Sequence, residues 1–292
     1  MRYRVTHRTS YSYDQTVNRS VNVARLVPRE TPQQQVWGAY LEVDPLPDQI
    51  VERVDFFGNR THYVSLEAGF TRLDVVAHSE VEVTAAPAPE GEAAARSWEG
   101  VAEMLATTRE PEVIDARQFA FASPLAGPDP SVDDYAQVSF PPERPLVEAV
   151  VDLTRRIHAD FEYARGVTTT STSPLEVLRG GKGVCQDFAH FALACLRGRG
   201  LAARYVSGYL ETAPPEGRPR LTGSAASHAW VGVWLPGHGW LEVDPTNDLV
   251  VGDRHVTAAW GRDYRDVSPL KGVIFWEGKE QRLEVSVDVE RA

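Results

Sequence analysis

From residue 2 to about residue 86, hydrophobic and polar positions alternate in short runs. Tyr3, Val5 and His7 are followed by Tyr11 and Tyr13, then by Val21, Val23 and Leu26. Val36, Ala39, Leu41 and Val43 run into the turn-rich segment DPLPDQ, and Ile50, Val51 and Val54 into the turn at Phe57-Gly58-Asn59. Tyr63 and Val64 continue, and Leu73 to Val83 forms a last long run. A period of two is that of half-buried strands, and Gly, Pro and Asn at the breaks are turn chemistry. An antiparallel β domain, sandwich- or barrel-like, is expected over residues 1–86. The pattern then changes. Residues 86–98, APAPEGEAAARSW, read as a Pro/Ala/Glu-rich linker. The stretch 87–140 is expected as a connection, with weak helical pieces around Glu99–Thr107 and Ser131–Val138.

After Pro141, Pro142 and Pro145, the residues Leu146, Val150, Leu153 and Ile157 recur at helical spacing and predict a helix to about His158. A Thr/Ser-rich loop with a short helix near Pro174–Leu178 leads into GGKGVCQDFAHFALACLRGRG, residues 180–200. Glycines at both ends and arginines in the last turn punctuate a helix. Phe188, Ala189, Phe191, Ala192, Leu193, Ala194, Cys195 and Leu196 leave it little polar face, so a buried central helix is expected. LAARYVSGYLE then reads as a strand. Pro214, Pro215, Gly217 and Pro219 mark an exposed loop, and SHAWVGVWLPGHGWLEVDPTND two strands joined at Pro236–Gly239. A helix-like Val256–Trp260, a piece at Val273–Trp276 and a strand at Leu283–Val289 complete the chain. The expected fold class is α+β, with a core over residues 141–292 that carries a C-terminal extension.

The central helix brings in chemistry. Cys185 lies in its first turn, where free backbone N–H groups and the positive end of the dipole favour a thiolate. A lone cysteine is more often inert packing, and Cys195, deep in the apolar run, is read that way. Cys185 needs a base. On the first strand after the loop, His228, Trp230, Gly232 and Trp234 share one face. On the second, Trp240, Glu242 and Asp244 do. If Trp234 pairs with Trp240, Trp230 falls opposite Asp244, and Asp244 becomes a diagonal neighbour of His228. A slip of one residue would separate them. Taken singly, each has a plain alternative: a satisfied histidine, an Asx turn at Asp244, a packed Trp face. Together, in this order, they form a thiol nucleophile, an imidazole base and an orienting carboxylate.

GVCQDFAHFALACLRGRGLAARYVSGY followed by SHAWVGVWLPGHGWLEVDPTND resembles the transglutaminase-like superfamily, over about residues 161–248. Residues 1 to about 83 resemble, more loosely, the bacterial transglutaminase-like N-terminal region. The resemblance implies a papain-like core, with the Cys helix packed on an antiparallel sheet that holds His and Asp. It also implies Cys185 as nucleophile, His228 as general base and acid, and Asp244 as orienter. One departure is Gly200-Leu201-Ala202-Ala203-Arg204, where the family often has a proline in the third place. The chemistry so implied is attack on an amide or peptide carbonyl through a thioacyl-enzyme, with hydrolysis favoured over amine transfer to a second substrate. A non-catalytic binding module is the alternative from another class. The Cys185 N–H is the natural first oxyanion donor. Gln186, Tyr163 and Trp230 are the remaining oxyanion or substrate candidates, while Asp187 and His190 are expected to be structural.

The 292 residues carry a formal net charge of -11 and 42% hydrophobic side chains. That balance argues against nucleic-acid and anionic-membrane partners, and the resemblance implies a peptide or protein substrate. A protein partner could also dock on the N-terminal β domain. Two cysteines make no disulfide framework. No apolar segment of signal-peptide or membrane-spanning type is found, so a cytoplasmic location is expected. Cys185, His190 and Cys195 are spaced to point in different directions on a helix, and no calcium-loop pattern occurs. No metal or other cofactor is therefore expected.

Overall fold

The structure, a computed structural model, describes residues 1–212, 216–217 and 226–292. Apart from Gly217, the loop expected around Pro214, Pro215 and Pro219 lies outside the described residues.

The fold is α+β, and the first half of the chain supplies five strands of a seven-stranded antiparallel sheet. Strand β1 (Arg2–Ala24) is its spine. It is followed by β2 (Gln34–Asp44), β3 (Gln49–Val54), β4 (Arg60–Leu66) and β5 (Phe70–Val83), in the order β2-β5-β1-β4-β3. The short alternating runs at the start of the chain are thus one strand of 23 residues. Its pairing with β5 shifts register between Ser12 and Val17, which is where the alternation breaks.

Residues 87–140 are a helical connection, and two of its helices fall where helical pieces are expected, near Glu99–Thr107 and Ser131–Val138. The connection forms α1 (Gly91–Ala95), α2 (Trp98–Thr107), α3 (Pro111–Arg117) with a 3-10 turn after it, and α4 (Pro130–Gln137). Val101, Leu105, Val113, Ala116, Phe119, Val132 and Ala136 all enter the main core. Each short helix buries only two residues or so, too few to stamp a helical period on the sequence.

Next come α5 (Leu146–Asp160), β6 (Glu162–Tyr163), α6 (Pro174–Gly180), β7 (Lys182–Gly183) and the central helix α7 (Cys185–Gly198). Ser173 and Glu176 cap α6 reciprocally, and Gly181, at φ 64°, ends it in the left-handed conformation that favours glycine. Helix α7 is buried almost throughout, as its composition predicts. Each fully buried Leu or Phe on it is worth roughly 1.5–3 kcal/mol of transfer free energy.

The remaining elements are β8 (Ala203–Leu210), β9 (His228–Leu235), β10 (Gly239–Asp244), β11 (Leu249–Val250), β12 (His255–Gly261), α8 (Tyr264–Val267), β13 (Leu270–Trp276) and β14 (Gln281–Arg291). The second sheet runs β11-β10-β9-β8-β12, and α7 packs on β8 and β9. The segment Val256–Trp260, expected as helix-like, is strand β12, paired with β8. Its apolar run is short, and such a run fits either element.

β13 and β14 pair with β1 on the side not taken by β4 and β5. The C-terminal strands therefore belong to the N-terminal sheet, not to an extension of the core. Local alternation marks a strand but not its partner. The two sheets meet through Tyr3, Val5, Val81, Val83, Tyr209, Val256, Ala258, Val287 and Val289.

Removing residues 270–292 strips β1 of one neighbour along most of its length and opens this intersheet cluster. A truncated chain is expected to lose its cooperative thermal transition. A melting curve like that of the full chain, followed by circular dichroism, would show that β13 and β14 are dispensable.

Candidate active site

The thiol is placed by two short parallel strands. β6 pairs with β7, Tyr163 opposite Gly183, and two residues later the chain enters α7 at Cys185. Asp187 closes the helix start: its Oδ2 accepts the Val184 N–H at 2.8 Å and the Thr168 hydroxyl at 2.7 Å. The flanking Gln186 donates its side-chain amide to the Thr170 carbonyl at 3.3 Å. Gln186 and Asp187, the two residues after Cys185, thus hold the Thr-rich loop against the helix start. The Cys185 N–H has no carbonyl one turn earlier in the helix to receive it.

The hairpin has the expected register. Trp240 pairs with Trp234, and the ladder continues to Val243 opposite Val231. Ala229, Val231, Val233 and Leu235 face the main core; His228 and Trp230 alternate with them. His228 Nε2 meets Asp244 Oδ2 at 2.8 Å, and both residues are buried.

Asp244 is an Asx-turn residue and an imidazole acceptor at once, because its two oxygens divide the work. Oδ1 accepts the backbone N–H groups of Thr246 at 2.9 Å and Asn247 at 3.3 Å. Oδ2 accepts His228, the Asn247 side chain at 2.7 Å, and His255 Nε2 at 3.2 Å.

Burial opposes charge on His228, but the Asp244 carboxylate and the Cys185 sulfur, by charge and hydrogen bonding, overcome it and raise the pKa of the ring. Nδ1 of His228 is buried and forms no hydrogen bond of ordinary geometry. It is the nitrogen left to face the thiol, and such contacts are commonly loose before substrate binds. Burial likewise opposes charge on Asp244, but the positive His228, then the hydrogen bonds from His228 and His255, hold its carboxyl well below the usual carboxylate range.

Of the other candidates, Tyr163 is half-buried beside the thiol. Burial pushes its hydroxyl pKa up, and the Cys185 charge adds to that. Trp230 is 0% exposed, with its indole N–H donated to Glu242 Oε2 at 2.8 Å. It packs beside His228, ring centroids 6.1 Å apart, so its N–H is not free for an oxyanion. His190 accepts the Tyr264 N–H at 3.2 Å, and burial pushes its pKa down to about 4. Cys195 is fully buried, and burial drives its thiol pKa far up. Both side chains are enclosed in the packed interior.

His255 was not singled out from sequence. It precedes a run expected as helix, and no local pattern ties it to Asp244. Side-chain polar atoms of His228, Asp244 and His255 lie within 4.8 Å of one another. Both imidazole nitrogens are at hydrogen-bond distance from a single carboxylate oxygen, so the cluster reads as a hydrogen-bonded relay around Asp244.

Residues 3–82 match the model of the bacterial transglutaminase-like N-terminal region, and residues 134–245 that of the transglutaminase-like superfamily. An uncharacterised protein of Mycobacterium tuberculosis is 42% identical over 99% of this chain and 92% of its own length. The protein-glutamine gamma-glutamyltransferase of Pseudomonas aeruginosa is 33% identical over 39% of this chain and 17% of its own length. A crystal structure from Cytophaga hutchinsonii, of a protein proposed to be a cysteine protease, superposes with TM-score 0.72. At 20% identity it covers 98% of this chain and 90% of the other, and shows that the fold is shared.

Two predictions follow from the packing and the charges. A Cβ at Gly208 would lie 2.1 Å from the Val256 carbonyl oxygen and 2.5 Å from the Trp230 ring. Gly208→Ala should destabilise the protein by about 1–3 kcal/mol, the usual cost of overpacking, measured by urea unfolding. Unchanged stability would mean that Trp230 repacks freely. For the buried pair, the lowered pKa of Asp244 contributes stability above about pH 4 that is lost as pH falls. The raised pKa of His228 contributes stability below about pH 6.5 that is lost as pH rises through its folded value. The stability advantage over Asp244→Asn should therefore peak near pH 5–6 and decline on both sides. A flat difference from pH 3 to 9 would show that the pair does not carry that charge.

Proposed function

Because this chain belongs to the transglutaminase-like superfamily, we propose that it is a thiol enzyme that opens amide or peptide bonds through a thioacyl intermediate. The observation that carries this reading is the buried imidazole of His228, bound through one nitrogen to Asp244 and acted on by the Cys185 sulfur. Asp244 fixes the ring and favours its protonated form, which in turn favours the thiolate.

In this mechanism the Cys185 thiolate attacks the carbonyl carbon and the C–N bond becomes part of a tetrahedral oxyanion. The Cys185 N–H at the helix start receives the oxyanion, and Tyr163, neutral and beside the thiol, is the second donor. On collapse the amine leaves with the proton from His228. Water then gives a proton to His228 and attacks the thioester, releasing a carboxylic acid and restoring the thiol. The net reaction is hydrolysis of an amide to an acid and an amine.

Amine transfer is the second reading, favoured by the likeness of part of this chain to the Pseudomonas glutamyltransferase. A primary amine would then replace water in the last step and a new amide would form. Both readings take a peptide or protein as substrate. A binding module that keeps the fold without turnover is disfavoured, because Cys185 is retained at the helix start and His228 is hydrogen-bonded to Asp244.

Mass spectrometry on peptide and glutamine-amide libraries, with and without a primary amine, separates cleavage, deamidation and cross-linking. Cys185→Ala should abolish every such product while leaving the melting curve intact, and product formation by that variant would exclude the nucleophile assignment. Asp244→Ala should slow turnover by at least about 100-fold. If neither turnover nor selective iodoacetamide labelling of Cys185 is found in the parent, the binding-module reading prevails.

A further inference from the structure

His255 is a buried imidazole for which the proposed mechanism has no step. It opens β12, is 3% exposed, and places Nε2 3.2 Å from the same Asp244 oxygen that holds His228. Its ring is met by Trp230 edge-on at 5.2 Å. Its Nδ1 is buried without a hydrogen-bond partner. Its Nε2 gives Asp244 a second imidazole hydrogen bond, on the same oxygen and from a different strand.

The strand that carries His255 is located by the N-terminal sheet. The Gln34 side chain, 4% exposed, donates to the Thr257 carbonyl at 2.7 Å and accepts the Thr257 N–H at 2.8 Å. The Arg29 N–H donates to the same carbonyl at 3.2 Å. Thr257 lies two residues from His255, at the point where β12 bulges out of register with β8. A residue far away in sequence thus clamps the backbone that aims the second imidazole.

We infer that His255 is a positioning residue for the His228–Asp244 pair, and that the N-terminal sheet sets its position through the Gln34–Thr257 clamp. Oδ1 of Asp244 is fixed by the turn, and donors from two different strands, β9 and β12, fix the direction of Oδ2. With His255 gone, the carboxylate can turn away from His228, and the imidazolium that supports the thiolate weakens. Among the described residues, His228 and His255 meet Asp244 directly, Cys185 of α7 acts on His228, and His158 of α5 meets the Thr246 carbonyl of the Asp244 turn at 2.9 Å. Glu242 is engaged by Arg204 and Trp230, and Glu211 by Arg254 and Arg291. The inference rests on the thiol-enzyme reading and assigns the N-terminal sheet a part in it.

The test is the rate of Cys185 alkylation by iodoacetamide against pH, with peptide mapping of the modified residue and circular dichroism of each variant. His255→Phe should slow alkylation at pH 7 about tenfold, the scale of one charge-assisted hydrogen bond, and move the acidic limb of the profile to higher pH. His255→Gln, whose amide can reach the same oxygen, should keep most of the rate, whereas the shorter His255→Asn should not. Gln34→Leu should shift the profile in the same direction by a smaller amount. A folded His255→Phe with the parental rate and profile overturns the positioning role. If His255→Phe does not fold, identical profiles for the Gln and Asn variants overturn it instead. A parental profile for Gln34→Leu removes the N-terminal sheet from the inference. Absence of selective Cys185 labelling in the parent, by contrast, defeats the thiol-enzyme reading itself.

Discussion

A carboxylate with no exposure to water governs the arrangement of this molecule. An ionised group in that position is tolerated only if its lone pairs are met by donors. Asp244 receives them from its own turn, from Asn247, and from imidazoles on two different strands. Each donor imposes a condition on the fold. The turn must follow β10 directly, β9 and β10 must pair without a slip, and β12 must begin beside them. The same condition that makes the carboxylate bearable gives His228 its charge preference, and so connects folding to chemistry.

Behind that pair lies a second buried electrostatic layer. Glu242 accepts the Trp230 indole and pairs with Arg204 at 2.8 Å. The Arg204 guanidinium lies 4.4 Å from the Trp240 ring and 3.6 Å from the Trp260 ring, and Arg29 lies 3.1 Å from Trp260. Burial pushes the Arg29 pKa down to about 9, with the charge of Arg204 acting in the same direction. Two buried cations near one indole are costly unless anions and ring faces compensate them. Here Glu242 supplies the anion for Arg204, while Asn59 and the Phe57 carbonyl accept from Arg29. Arg29, Phe57 and Asn59 come from the N-terminal half, whereas Trp260, Arg204 and Glu242 come from the core. The two sheets are therefore joined by polar packing as well as by an apolar seam, and the joint reaches the residue stacked beside His228.

Much of the local structure was legible along the chain because its causes are local. The helix that begins at Cys185, the strand pair that carries His228 and Asp244, and the Trp234–Trp240 register depend on short-range periodicity and on a turn of fixed length. The three residues proposed for catalysis could be named for the same reason: each sits in a context of a few residues that suits its role. The helical pieces expected at Glu99–Thr107 and Ser131–Val138 are α2 and α4, whereas α3 went unmarked, because a seven-residue helix that buries two side chains carries too short a period. The run at Val256–Trp260 was ambiguous for a similar reason; five apolar-rich residues fit a strand or a helix equally, and pairing with β8 decided the matter.

The sequence by itself determined the elements, their order and the chemical groups at hand, since propensity, punctuation and side-chain type act within a few residues. Only the tertiary structure decided that β13 and β14 complete the sheet begun by β1, that Glu242 spends its charge on Arg204 and Trp230, and that His255 shares a carboxylate with His228. Those outcomes depend on which distant strands end beside one another. Long-range packing and the need to satisfy buried charge select that arrangement, and neither leaves a periodic trace in the chain.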